Sequence, residues 1–255
     1  MNINRYNYLY DKLKGNTISY KNTLYKKAIR ERMADIIKKD NQRKDRKLSY
    51  IGMPSLNFFD VIQWQEYVGH ITSIEIEKSI YDMQQDRFND LNLSIDLNLI
   101  NADIDEFEQY KASLKDVYDI VYFDYWNDLL TDKIERLNIL CSMIEYQCCK
   151  NTSSFVFAFN HSIEQINIPR YKNMFNIVNH KYEKMLWIEI FCEIQKKIEQ
   201  KIKSMGYGVS EYIAHLYYQK NGTPRLNHCL YVEKKTIDIY RELLEYTDGK
   251  FKKIL

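Results

Sequence analysis

The sequence has no apolar run approaching the roughly 18 residues that a membrane-spanning helix requires, and its first residues are polar and aromatic, unlike a signal peptide. It therefore reads as a cytoplasmic protein with no membrane among its partners. Cysteine is sparse. Cys141, Cys148, Cys149, Cys192 and Cys229 are odd in number and lack the paired spacing of a zinc site, which argues against a disulfide frame and for reduced thiols. Glycine and proline are also few, seven and three in 255 residues. The places where these two fall together are correspondingly informative as breaks between elements.

Charge is unevenly spread. Residues 1–47 carry 14 Lys or Arg against 5 acids, a net of +9; residues 48–150 carry 7 against 19, a net of −12; residues 151–255 carry 16 against 11, a net of +5. An acidic centre between basic ends points to a polyanionic partner approached by the ends. Residues 1–47 read as a basic helical extension and residues 48–255 as one α/β domain, a size that a single sheet commonly reaches. In the extension, Leu24, Ile29, Met33, Ile36 and Ile37 recur at helical spacing over about 17–39. The tail Arg43, Lys44, Arg46 and Lys47, with Tyr6, Tyr8 and Tyr10 upstream, reads either as a solvated helix face or as a nucleic-acid-binding surface.

Four stations follow at a regular interval. The run Leu48 to Ile51 stops at Gly52-Met53-Pro54-Ser55 and a helical segment follows, as where a buried strand turns around a nucleotide. An alternating strand then ends at Glu75-Ile76-Glu77, placing Glu75 23 residues after Gly52. That is close to the ~20 residues separating a first strand turn from a ribose-binding carboxylate. Asp103-Ile104 and Asp124-Tyr125-Trp126 complete the series. Helical segments lie between the stations, so the alternation predicts a mostly parallel sheet with helices on both faces.

The series resembles the class I (Rossmann-like) S-adenosylmethionine-dependent methyltransferases. The resemblance implies that the turn of Ile51, Gly52, Met53 and Pro54 wraps the methionine part of S-adenosylmethionine. It likewise implies that Glu75, followed by Ile76, takes the ribose hydroxyls, that Asp103 and Ile104 face adenine, and that Asp124, Tyr125 and Trp126 form the catalytic face. Two departures stand out. The first turn has one glycine where the family usually has two or three. Relatives that methylate base amino groups carry two prolines between the Asp124 position and its aromatic, and this chain has neither.

Downstream, a helix is expected over about 128–147, a fifth strand over 153–159 ending at Asn160 and His161, and one long helix over about 170–203. Strands over 208–220 and 225–235, joined at Asn221-Gly222, predict a C-terminal antiparallel hairpin. That makes seven strands, with the one near Arg225 the only antiparallel member, and residues 235–255 are expected to form a closing helix. The acids Asp103, Asp105, Glu106 and Glu108 also allow a divalent-metal reading, although the methyltransferase reading needs no metal. Asn160 and His161 are candidates to line the cleft. The functions that fit are a methyltransferase acting on nucleic acid, or a catalytically silent nucleic-acid- or nucleotide-binding module, such as one of a defence or mobile-element system. A methyltransferase with a protein or small-molecule acceptor also fits.

Overall fold

The computed structural model describes residues 24–54, 56, 58–114, 117–130, 135–177, 183–218, 222–234, 240–247 and 250–254, and the side chains of all of these except residues 24, 126, 127, 183 and 246. The candidate tyrosines Tyr6, Tyr8 and Tyr10, the turn residues Ser55 and Asn221, and the side chain of Trp126 lie outside what is described.

Helix α1 (Leu24–Lys44) leads into β1 (Leu48–Gly52), α2 (Phe59–Trp64), β2 (Val68–Glu75), α3 (Lys78–Leu91) and β3 (Asp96–Asn101). A short helical stretch that includes α4 (Phe107–Tyr110) precedes β4 (Ile120–Asp128). Then come α5 (Arg136–Cys149), β5 (Ser154–Ser162), α6 (Ile168–Phe175), α7 (Glu183–Ser204), β6 (Gly208–Tyr218) and β7 (Pro224–Glu233), followed by β8 (Tyr240–Thr247) and β9 (Lys250–Lys253). The sheet order is β3-β2-β1-β4-β5-β7-β6-β8-β9. Strands β1 to β5 pair in parallel, and β7 enters antiparallel between β5 and β6.

Alternation within the strands builds a core on each face. Phe155, Phe157 and Phe159 of β5 join Val121, Phe123, Leu140, Ile190 and Ile194 on the side of α5 and α7. Val156 and Ala158 face the opposite way, onto Met33, Ile37, Tyr50 and Trp64 under α1 and α2. All nine residues of β5 are buried, as expected of a central strand covered on both faces.

Several expectations need correcting. The sheet has nine strands, not seven. The segment expected to close the chain as a helix instead supplies β8, parallel to β6, and β9, antiparallel to β8, so β7 is not the only antiparallel strand. Pairing with β8 satisfies the outer edge of β6 and sends Leu243 into one core while Leu244 packs on the other. The long helix expected over 170–203 is two helices, α6 being ended by Asn176 in the left-handed conformation (φ 54°), which asparagine tolerates better than most residues. The apolar stripe of the basic extension needs no such correction: Ile29, Met33, Ile36 and Ile37 are at most 2% exposed, and α1 packs on the sheet as one of its covering helices.

Candidate functional site at the carboxyl edge

The parallel strands bring Gly52, Glu75, Asp103 and Asp124 to one edge of the sheet, where loops after successive strands can share a ligand. Asn101, the last residue of β3, donates from its side chain to the carbonyls of Glu75 (2.8 Å) and Ile76 (3.2 Å) and pins the turn after β2. Glu75 Oε1 accepts the Glu77 backbone N–H at 2.9 Å. Burial raises the Glu75 carboxyl above its ordinary range, partly offset by that hydrogen bond. Next to it, Ile76 is 62% exposed, one of few large apolar side chains left open. Asp103 Oδ1 accepts from the Asp105 N–H at 2.9 Å and caps the helical turn that follows. The Ile104 side chain is buried in the core, so only its backbone is available to a ligand.

The acidic run does not converge. Asp105 forms a forked pair with Arg136 at 2.6–3.0 Å, and Glu108 pairs with Lys111. Among the described residues no three His, Cys, Asp or Glu side chains are grouped to hold a metal ion.

A Cβ on Gly52 would collide with the Tyr122 carbonyl oxygen and with the Tyr50 ring. Glycine is thus required by the close approach of the Tyr122 backbone and of the Tyr50 side chain, and not by an open cradle. The Tyr50 hydroxyl is buried with no hydrogen-bond partner. Around it lie two acids and two bases. Asp60 faces Arg30 at 3.5 Å, and burial, with Asp124 adding to it, pushes the Asp60 carboxyl up to about 6. Asp124 receives Lys26 Nζ at 2.6 Å on one oxygen and Asn160 Nδ2 at 2.7 Å on the other. Burial alone would raise the Asp124 carboxyl, but Lys26 and Arg225 outweigh it and hold it below its ordinary value. Asn160 also meets the Tyr217 hydroxyl, whose ring stacks on Tyr25 at 4.2 Å between centroids. The first turn of α1 therefore sits over the Asp124 station.

Strand β4 continues to Asp128, so Asp124, Tyr125 and Trp126 lie within a strand with a register shift, not in a loop beyond it. Tyr125 is 3% exposed, with Arg136 above its ring at 5.4 Å and its carbonyl accepting from Arg225. It supports the edge from beneath and is not free to stack on a ligand. His161 is fully buried and faces His228, away from Asp124.

The basic tail lies at the other end of the sheet. Asp119, at the start of β4, accepts from Lys44 Nζ (2.7 Å), both terminal nitrogens of Arg46 (2.7 and 2.8 Å) and the Ser49 N–H (2.8 Å). Arg43 pairs with Glu233, and Lys47 donates to the Glu66 carbonyl. These four cations are at the amino edge, across the strands from Asp124, because α1 ends where β1 begins. Sequence spacing missed Tyr25, Lys26, Arg30 and Asp60 at the carboxyl edge. The stripe 26-30-33-37-40-44 at steps of three and four residues could have identified Lys26 and Arg30.

No family model matches the sequence, and no curated protein matches it. Among solved structures, TYW2 of M. jannaschii in complex with AdoMet superposes with a TM-score of 0.51 at 15% identity, covering 86% of this chain and 80% of that one. The SAM-dependent methyltransferase from Agrobacterium tumefaciens gives 0.50 at 11% identity over 80% of this chain and 61% of its own. The order β3-β2-β1-β4-β5-β7-β6 with antiparallel β7, and these two likenesses, give the chain the fold of the class I S-adenosylmethionine-dependent methyltransferases.

Proposed function

We propose that the protein is an S-adenosylmethionine-dependent methyltransferase acting on nucleic acid. The observation that carries this reading is the convergence of Glu75, Ile76, Asp103 and Asp124 on one edge of the fold. The adenosine half fits: a carboxylate fixed in direction by its backbone hydrogen bond is placed for the ribose hydroxyls, the open Ile76 offers an apolar surface to a base, and Asp103 stands across from it. The Ile104 contribution is its backbone. The methionine half is bounded by Ile51, Gly52, Met53 and Pro54, with the unpartnered Tyr50 hydroxyl as the polar group that lacks a partner.

When bound, the cofactor supplies an electrophilic methyl group on sulfur. The protein's own part is then mostly positioning. Asp124 and Asn160 form a polar pair that can orient an acceptor amine and draw a proton from it, once Lys26 gives up its place on the carboxylate. Trp126 stays the candidate for stacking on a base by its place in the sequence. Arg43, Lys44, Arg46 and Lys47 belong to this reading as phosphate contacts at the far edge.

A catalytically silent nucleic-acid-binding module is the second reading, favoured by the Lys26–Asp124 pair and by the Tyr50 ring packed against Gly52. Incubation with methyl-tritiated S-adenosylmethionine and total RNA, sheared DNA or a protein extract separates the two. Label in the nucleic acid that Asp124→Ala abolishes is the expected result. Label in protein would move the acceptor, and no transfer to any of them would favour the silent module.

A further inference from the structure

Helix α1 joins the two edges of the sheet. Lys26 in its first turn meets Asp124 and Lys44 in its last meets Asp119, a span of about 27 Å at ~1.5 Å per residue. Its inward cations are neutralised by buried acids. Its outward face is different: Lys27, Arg32, Lys38, Lys39 and Arg43 are exposed, against the acids Glu31 and Asp35. Arg32, Lys39 and Arg43 touch acids on the sheet, yet their side chains keep 43%, 64% and 52% exposure. Pairs this open are worth little and exchange readily for another anion.

Two clefts flank the second half of the helix. One of about 430 Å³ is lined by Arg32, Lys38, Lys39 and Gln42 together with the acids Asp35 and Glu211. The next, of about 520 Å³, is lined by Arg43, Lys44, Arg46 and Lys150, with Asn151 to Ser153 beside them.

We infer that the outer face of α1 is a track for single-stranded nucleic acid, with its phosphates in these clefts and its path directed along the helix toward Asp124. The direction and the choice of a single strand rest on the methyltransferase reading, whereas the cationic track itself does not. Arg32, Lys39 and Arg43, at steps of seven and four residues, form one line along the helix, and Lys27 and Lys38 flank it beyond Glu31 and Asp35; such a line of cations suits a polyanion whose charges repeat. A lipid surface would also want apolar side chains beside the cations, and none of the exposed large hydrophobic residues, Ile76, Ile166, Met185, Tyr218 and Tyr240, lies on α1. A single strand is favoured over a duplex because the Asp124 station is recessed, and only an unpaired or extruded base can enter such a site. From Lys27 to Arg43 the track is about 24 Å, or about seven nucleotides at the ~3.4 Å rise of a stacked strand.

The test is fluorescence anisotropy with labelled 12-residue and 4-residue oligouridylate, 12-residue oligothymidylate, a 12-base-pair duplex and anionic vesicles, each titrated with salt. Lys27→Ser, Lys38→Ser and Lys39→Ser together remove three exposed cations without touching the buried pairs, and thermal melting verifies the fold. At ~0.7 per phosphate on a single strand, the triple variant should flatten the slope of log K against log salt by about 2. The 4-residue strand should bind at least about tenfold more weakly than the 12-residue one. Equal slopes, no binding at low salt, or a preference for duplex or vesicles would overturn the track. Calorimetry with S-adenosylmethionine on the same samples keeps the two ideas apart, since loss of cofactor binding with an intact salt slope removes the methyltransferase reading alone.

Discussion

Lys26 carries more of the carboxyl edge than any residue its neighbours in sequence would single out. It lies on the stripe Lys26, Arg30, Met33, Ile37, Asp40, Lys44, so the same helical face that buries Met33 and Ile37 also delivers charges to Asp124, Asp60 and Asp119. A cation on an apolar face looks like interrupted amphipathicity until the acids opposite are known, and those come from residues up to 98 positions away. Gly52, Glu75 and Asp103 were legible because each ends or closely follows a short strand, and Asp124 because it follows the apolar run of β4, a purely local pattern. Removing one partner from a buried pair costs ~3–5 kcal/mol. With Asp124 24% exposed, Lys26→Met should cost less, about 1–3 kcal/mol in denaturant unfolding. In a double-mutant cycle with Asp124→Asn, most of that loss should disappear as coupling; a coupling near zero would mean that the pair is not formed in solution.

At the scale of elements, the hairpin β6–β7 and strand β5 hold a buried histidine chain whose protons can be assigned from its partners. His161 Nδ1 must donate to the Ser162 carbonyl (3.1 Å), which leaves its Nε2 to accept from His228 Nε2–H (3.1 Å). His228 Nδ1 then accepts from the Tyr212 hydroxyl (2.7 Å). Burial holds His161 neutral, with its pKa down to about 3, and also holds His228 well below its ordinary value. Groups that bind a proton only when unfolded contribute fully above about pH 6.5 and lose that contribution as pH falls. Replacing both histidines by Phe should therefore remove about 1.4 kcal/mol per pH unit per histidine from the acid-side slope of stability between about pH 6 and 4. Asp60, raised to about 6, and Asp128, raised to about 7, act in the opposite sense, but they are common to both proteins and cancel in the comparison. Unchanged slopes would contradict the assignment. The strands of this region were readable from their β-branched and aromatic runs, whereas β8 was not. Tyr240–Thr247 mixes charges with a Leu-Leu pair, which suits a helix equally well, and only the unpaired edge of β6 decides for a strand.

For the whole molecule, the strand order puts two kinds of chemistry at opposite edges, carboxylates with an open isoleucine at one and basic clefts at the other, with α1 spanning the distance between them. A sequence reading places the basic tail at the amino end of the first strand but not Lys26 over Asp124, because that depends on α1 running antiparallel to β1. The central claim is that the carboxyl edge binds S-adenosylmethionine through Glu75, and isothermal titration calorimetry of the unmodified protein and of Glu75→Ala tests it most directly. Leaving ribose hydroxyls without their acceptor costs about 1.5–3 kcal/mol, so the account predicts saturable binding by the unmodified protein, weakened ten- to a hundredfold or so in the variant. No heat of binding at about millimolar cofactor, or equal affinity in the two proteins, would contradict it.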